Sequence, residues 1–256
     1  MAGRTVRHGA DRPAEFVDAL AKGLDVLASF DEAHPEMTLS EVARRVGLSP
    51  AAARRSLLTL AALGYVGQSG KRFHLMPKVM SLGSAFVRSA RIGEVLLPEL
   101  VGFVRRHGDA SSVATLDGHD VLYIAHHTEQ RARRPAASIG ARYPAHATSL
   151  GRVLLAALPP DGLDRYFAEV EPVALTSRTV TDKAALRRIL EAVREAGYAT
   201  TVDELDYGVT ALAVPIRSPR GQVFAAINTS GYSGAVTAGR LVEERLRDLR
   251  DAAARL

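Results

Sequence analysis

Apolar residues recur every three to four positions in some stretches of this chain and cluster in short blocks in others. The first pattern predicts helices and the second strands. Phe16, Leu20, Leu24 and Leu27 predict an amphipathic helix over about residues 14–30. Residues 31–36 are polar, contain Pro35 and read as a loop. Two short helices follow on either side of Gly47, and in the second Ala53, Leu57 and Leu60 face a core, with Ala61 beside them. Tyr65-Val66-Gly67 and Arg72-Phe73-His74-Leu75 predict a hairpin through Gln68-Ser69-Gly70-Lys71. Val79, Leu82 and Phe86, then Val95, Leu96, Leu100 and Val104, give a mostly helical stretch from Lys78 to about Arg106. Gly93 and Pro98 are expected to break it in two.

From Ser111 the pattern changes. Val113–Leu116 and Val121–Ala125 flank Asp117-Gly118 as strand, turn and strand. Leu150 to Leu158 is an apolar helix, and Leu186, Ile189, Leu190 and Val193 mark an amphipathic helix stopped by Gly197. Ala211 to Ile216 and Val223 to Thr229 predict a second hairpin around Pro219-Arg220-Gly221, and Thr237 to Leu256 a charged C-terminal helix. Hairpins with helices between them predict an α+β class with helices packed on an antiparallel or mixed sheet. The expected organisation is a disordered tail over 1–13, a winged helix-turn-helix over 14–78, a linker helix over 79–96 and a sensor domain over 97–256.

Turn chemistry sharpens the picture near the front of the chain. Thr38 and Glu41 have the spacing of a capping box. Gly47 supplies the left-handed backbone of a tight turn between helices. Ser49 suits an N-cap, and Pro50 the first helical position. Charge coincides with this motif. Between Met37 and Lys78 the basic residues are Arg44, Arg45, Arg54, Arg55, Lys71, Arg72 and Lys78, against the single acid Glu41. That net +6 exceeds the +5 of all 256 residues, so the remainder is close to neutral. A basic helix-turn-helix predicts double-stranded DNA as partner, because phosphate neutralisation releases counterions. The candidate contacts are Ser40 on the first helix and Ser49, Pro50, Ala51, Ala52, Arg54, Arg55 and Thr59 on the second. Lys71 and Arg72 join them from the hairpin, as a wing on the phosphate backbone. Small alanines allow close approach to base edges, and an arginine can bind guanine bidentately.

Composition narrows the function classes. The chain has no cysteine, which excludes disulfides, thiol catalysis and cysteine-ligated metals. No apolar run reaches the roughly 18 residues that would read as a membrane span, and no apolar signal core precedes the first helix. A cytoplasmic location and no membrane partner are therefore expected. There is no Gly-x-Ser-x-Gly elbow, P-loop or Gly-x-Gly-x-x-Gly, so neither enzyme chemistry nor a cofactor is expected. His126, His127 and His146 raise the question of a metal. Adjacent histidines on a strand point to opposite faces, and no ligand set is expected here. The rival class is a small-molecule enzyme with an accessory DNA-binding domain.

The run from Gly47 to Leu60, followed by Leu63-Gly64-Tyr65-Val66, resembles the reading helix and wing entry of the aromatic-acid branch of the IclR family of bacterial transcription regulators. That branch comprises the PcaR, PcaU and PobR regulators of the β-ketoadipate pathway. His146-Ala147-Thr148-Ser149-Leu150-Gly151-Arg152-Val153-Leu154-Leu155-Ala156 resembles a second family signature. The segments 194–199, Asp203-Glu204-Leu205-Asp206-Tyr207-Gly208-Val209 and Leu212-Ala213-Val214-Pro215-Ile216 resemble a third. The resemblance implies a GAF-like effector domain that binds a small organic acid, either an aromatic acid or, in another branch, an aliphatic ketoacid. It also implies homodimers that pair into dimers of dimers on a palindromic operator, with half-sites about one helical turn or a multiple apart.

Thr148 can cap the helix that follows it, leaving the amides of Ser149, Leu150 and Gly151 without partners inside that helix. They stand at the positive end of its dipole and suit a carboxylate. The resemblance implies that the effector binds there. By motif matching it extends the site to Thr201 or Asp203, to Val209 and Ala211, and to Asn228 and Ser230. The last two share one strand face. Arg131, Arg133, Arg134 and Arg142 flank this region as further candidates to pair with a carboxylate.

Overall fold

The computed structural model describes residues 13–89, 92–108, 110–129 and 138–256. Residues 1–12 of the predicted tail and Arg131, Arg133 and Arg134 lie outside the described residues. The chain divides into two compact units between Phe86 and Val87.

The first unit contains α1 (Asp18–Ala28), β1 (Glu36–Thr38), α2 (Leu39–Val46), α3 (Pro50–Ala62), β2 (Val66–Ser69) and β3 (Arg72–Leu75). Its antiparallel sheet has the order β1-β3-β2. Both halves of the capping box form: Glu41 N donates to Thr38 Oγ1 at 3.4 Å, and Thr38 N donates to Glu41 Oε2 at 2.7 Å. Gly47 takes φ +66° and closes α2. Ser49 Oγ accepts from Ala52 N at 3.3 Å, with Pro50 in the first turn of α3. Val26, Met37, Val42, Leu57, Val66 and Phe73 fill the core.

Three expectations need correction here. The first helix begins at Asp18, and of its predicted stripe Leu20 and Leu24 are exposed while Val26 is buried. The segment read as loop ends in β1, whose Met37 is fully buried. One apolar residue in three gives no period to detect. The wing turn contains only Gly70 and Lys71, since Gln68 and Ser69 continue β2. Beyond a 3-10 turn at Pro77–Val79, α4 (Met80–Ser89) buries none of its residues within the chain.

The second unit contains α5 (Leu96–His107), β4 (Ala110–Asp117), β5 (Asp120–His127), β6 (Arg142–Pro144) and α6 (Ser149–Ala156). It continues with α7 (Pro160–Glu169), α8 (Lys183–Ala196), β7 (Ala199–Val202), β8 (Val209–Arg217), β9 (Val223–Tyr232) and α9 (Ala238–Ala254). Pro98 lies inside the first turn of α5 and does not break it, because an N–H there would lack a helical partner anyway. The strands form one antiparallel sheet in the order β6-β5-β4-β9-β8-β7. Alternation along the strands gives its faces different chemistry. One face carries Val113, Ala125, Leu212, Val214, Ile216 and Ile227, packed by Leu100 and Phe103 of α5 and Leu241 and Leu249 of α9. The other carries Ala114, Tyr123, Ala199, Ala213 and Ala226, packed by α6, α7 and α8.

Candidate functional site

The candidate reading surface is the outer side of α3. Ala53, Leu57 and Leu60 anchor that helix in the core, so Ala51, Arg54, Arg55, Leu58 and Thr59 point outward. Ala52 is half-buried. Ser40, Ser49, Pro50 and Lys71 are also exposed. The basic residues separate into two groups. Arg45 is held by Asp31 and lies 3.1 Å from His34 Nδ1, so it staples α2 to the preceding loop. Arg72 donates to the Glu36 carbonyl at 3.3 Å and lies 3.7 Å from Glu41. Lys78 donates to the Leu63 carbonyl at 2.8 Å and sits over the Tyr65 ring. Arg44, Arg54, Arg55 and Lys71 form no ion pair among the described residues. All four are exposed. Arg72, predicted as a wing contact, is half exposed and also braces the wing against α2. The Thr59 hydroxyl donates to the Arg55 carbonyl at 2.9 Å, which leaves it only acceptor capacity.

The second site begins at α6. Thr148 Oγ1 caps the helix by accepting from Gly151 N at 2.9 Å. The Gly151 amide is therefore taken, and of the three predicted amides only those of Ser149 and Leu150 stay open to a ligand. A Cβ on Gly151 would stand 2.1 Å from the Ala145 carbonyl oxygen, so only glycine permits this approach of helix to turn.

Buried contacts fix the direction of α6. Arg152 makes a bidentate pair with Glu204 at 2.7 and 2.5 Å and donates to the His146 carbonyl at 3.0 Å. Glu204 also accepts from Val180 N at 3.2 Å. At the opposite end, Arg194 of α8 donates to Ala156 O at 2.7 Å. Glu204 follows the end of β7, and Arg194 precedes its start, so α6 runs antiparallel to β7. Its N-terminus thus lies at the sheet end where Thr201, Ala211, Ser230 and Ala110 are aligned across four strands.

The next row inward is Ala199, Ala213, Asn228, Ser112 and His126. Asn228 Oδ1 accepts from Ser112 N at 2.9 Å, which leaves its amide NH2 as the donor end of the side chain. Ser112 Oγ lies 2.9 Å from His126 Nδ1. Burial holds the His126 imidazole below its ordinary pKa, with the neighbouring His127 adding to the effect. The structure therefore brings Thr201, Ala211, Asn228 and Ser230 together on one face at the positive end of a helix, and Val209 extends the same alternation on β8. Asp203 has another task. At φ +57° its carboxylate accepts from Gly208 N at 2.7 Å and Ser233 Oγ at 2.8 Å and organises the loop before β8. The Ser233 and Gly208 hydrogen bonds keep that carboxyl below its usual range. Arg142 is bound by Asp117 and lies 3.5 Å from Asp120, at the hairpin turn. Sequence reasoning missed Ser112 and the association of His126 with it. A signal was present in the alternation of small side chains at Ala110, Ser112 and Ala114.

Residues 19–70 match the IclR helix-turn-helix domain, and residues 84–256 match the C-terminal domain of bacterial transcriptional regulators of the IclR type. The chain belongs to the IclR family. It is 38% identical over 242 residues to the Pca regulon regulatory protein of Pseudomonas putida, covering 94% of this chain and 83% of that one. It is 32% identical to the Pca operon regulatory protein of Acinetobacter baylyi, over 96% and 90% of the two chains. An IclR homologue from Microbacterium hydrocarbonoxydans, solved as a complex with 4-hydroxybenzoate, superposes with a TM-score of 0.77 at 28% identity, over 93% and 96%. As an IclR-family protein the chain is a transcriptional regulator with relatives in the aromatic-acid branch, and its α+β architecture is that of the family. Among the described residues no helix is long and apolar enough to cross a membrane.

Proposed function

We propose that this chain reads a palindromic DNA operator through α3 and adjusts its grip when a small organic acid binds between α6 and the polar sheet face. The acid is of the aromatic or β-ketoadipate-pathway type, and no bond is made or broken in it. The carrying observation is the sheet face itself. Five strands converge on small and polar side chains beneath the open amides of Ser149 and Leu150. A carboxylate at those amides gains two N–H donors and the helix dipole. Asn228 and Ser230 supply hydrogen bonds to the rest of the molecule. The likeness to the Pca regulators and the 4-hydroxybenzoate bound by the Microbacterium homologue support this class.

The chain acts in the cytoplasm as a homodimer that pairs further into a dimer of dimers. Leu82 and Phe86 of α4, four positions apart on one helix face, are each 49% exposed, an apolar strip suited to a second copy. A two-fold dimer then matches a two-fold operator. Coupling between acid and DNA of about 1–3 kcal/mol would suffice for control.

Fluorescence anisotropy on DNA from upstream of its own gene tests this reading. Arg54→Ala and Arg55→Ala should each weaken binding about fivefold or more and leave the acid's affinity unchanged. Wild-type DNA affinity in both variants would remove α3 as the reading element. Recovery of a chemically altered acid after incubation would restore the enzyme reading.

A further inference from the structure

The effector face carries one group that neither the helix cap nor the carboxylate explains. His126 sits on β5 directly opposite Ser112, in the row that contains Asn228. Ser112 Oγ occupies its Nδ1 at 2.9 Å. Its Nε2 is buried and has no hydrogen-bond partner among the described residues. A buried polar nitrogen left unpaired is costly, so its natural complement is a ligand group. Ser112 is itself fixed, because its N–H donates to Asn228 Oδ1 at 2.9 Å. Histidine, serine and asparagine thus form one chain of contacts across β5, β4 and β9.

We propose that His126, oriented by Ser112, is the specificity-determining residue of the effector site, and that it selects acids carrying a hydroxyl group. The proposal rests on the effector reading above. At neutral pH the imidazole is uncharged and presents either an acceptor or an N–H at Nε2, according to its tautomer. A hydroxyl both donates and accepts, so it satisfies either tautomer. A ring C–H satisfies neither. The same ligand therefore places its carboxylate at the amides of α6 and its hydroxyl at the β5 side of the face. A site built around an unpaired polar group rejects the analogue that lacks the matching hydroxyl far more strongly than an apolar pocket would.

Calorimetric titration of the full chain with 4-hydroxybenzoate and with benzoate tests the assignment. The wild-type chain should bind the hydroxylated acid about tenfold or more tightly than benzoate. His126→Leu should bring that ratio within about twofold by weakening 4-hydroxybenzoate alone. Ser112→Ala, which keeps the imidazole but frees its orientation, should lower the ratio part of the way and carries the test if His126→Leu does not fold. Benzoate affinity reports any merely structural damage, since both acids need the same amides. A wild-type chain indifferent to the hydroxyl, or variants that keep the wild-type ratio, would overturn the role of His126 and leave the effector site standing. Failure of either acid to bind the wild-type chain would remove the effector reading and this inference together.

Discussion

The two faces of the six-stranded sheet come from the same strands and differ in almost every property. Toward α5 and α9 stand Leu212, Val214, Ile216 and Ile227, closed over by Phe103 and Leu249. One residue away, toward α6, stand Ala211, Ala213, Asn228 and Ser230. A strand alternates its side chains, so a single sequence writes both surfaces. The first is a core of branched aliphatics whose value is burial. The second is buried as well, but it is built from small side chains and hydrogen-bonding groups at the positive end of a helix. The contrast separates what makes the domain fold from what makes it respond.

The largest expected effect falls at the rim of the polar face. Arg152 and Glu204 are a buried, bidentate pair, and removing one partner strands the other charge. Glu204→Ala should lower unfolding free energy by about 3–5 kcal/mol in a denaturant titration. A change under about 1 kcal/mol would mean that the pair does not hold α6 to the loop after β7.

The faces themselves come next. Leu212→Ala on the apolar face should cost about 2–5 kcal/mol of stability, since Leu212 is fully buried. Asn228→Ala on the polar face should cost about 1–3 kcal/mol, from the unpaired Ser112 N–H it leaves. Acid affinity should follow the reverse order: lost in Asn228→Ala and retained in Leu212→Ala. Equal effects of both substitutions on acid binding would erase the distinction.

The smallest effect concerns Asp203, whose carboxyl is held low by Ser233 and Gly208. Its contribution is complete above the ordinary carboxylate range near pH 4 and fades as pH falls through its lower folded value. Asp203→Asn should flatten the stability profile in that acidic window and nowhere else. An unchanged profile would show that the loop does not depend on the charge.

Legibility in the sequence divides along the same lines. The reading head was readable because its signals are local. Thr38 and Glu41, Gly47, Ser49 and Pro50 each announce a cap or turn within a few residues, and each forms as expected. The charges of that head were countable, but their partners were not: Arg45, Arg72 and Lys78 bind groups up to 36 positions away. The sensor's polar face was less legible for a physical reason. Thr201, Ala211, Ser230 and Ala110 meet only because four strands align in one register. The short strands β1, β6 and β7 carry too few residues to display a period. Thr201, Val209, Ala211, Asn228 and Ser230 came from family resemblance, and Ser112 and His126 only from the fold.

The most direct test is a calorimetric titration of 4-hydroxybenzoate into the full chain and into a chain carrying Asn228→Ala with Ser230→Ala. The account predicts one saturable site per chain in the first and none in the second, with both chains folded. Superimposable titrations would contradict it.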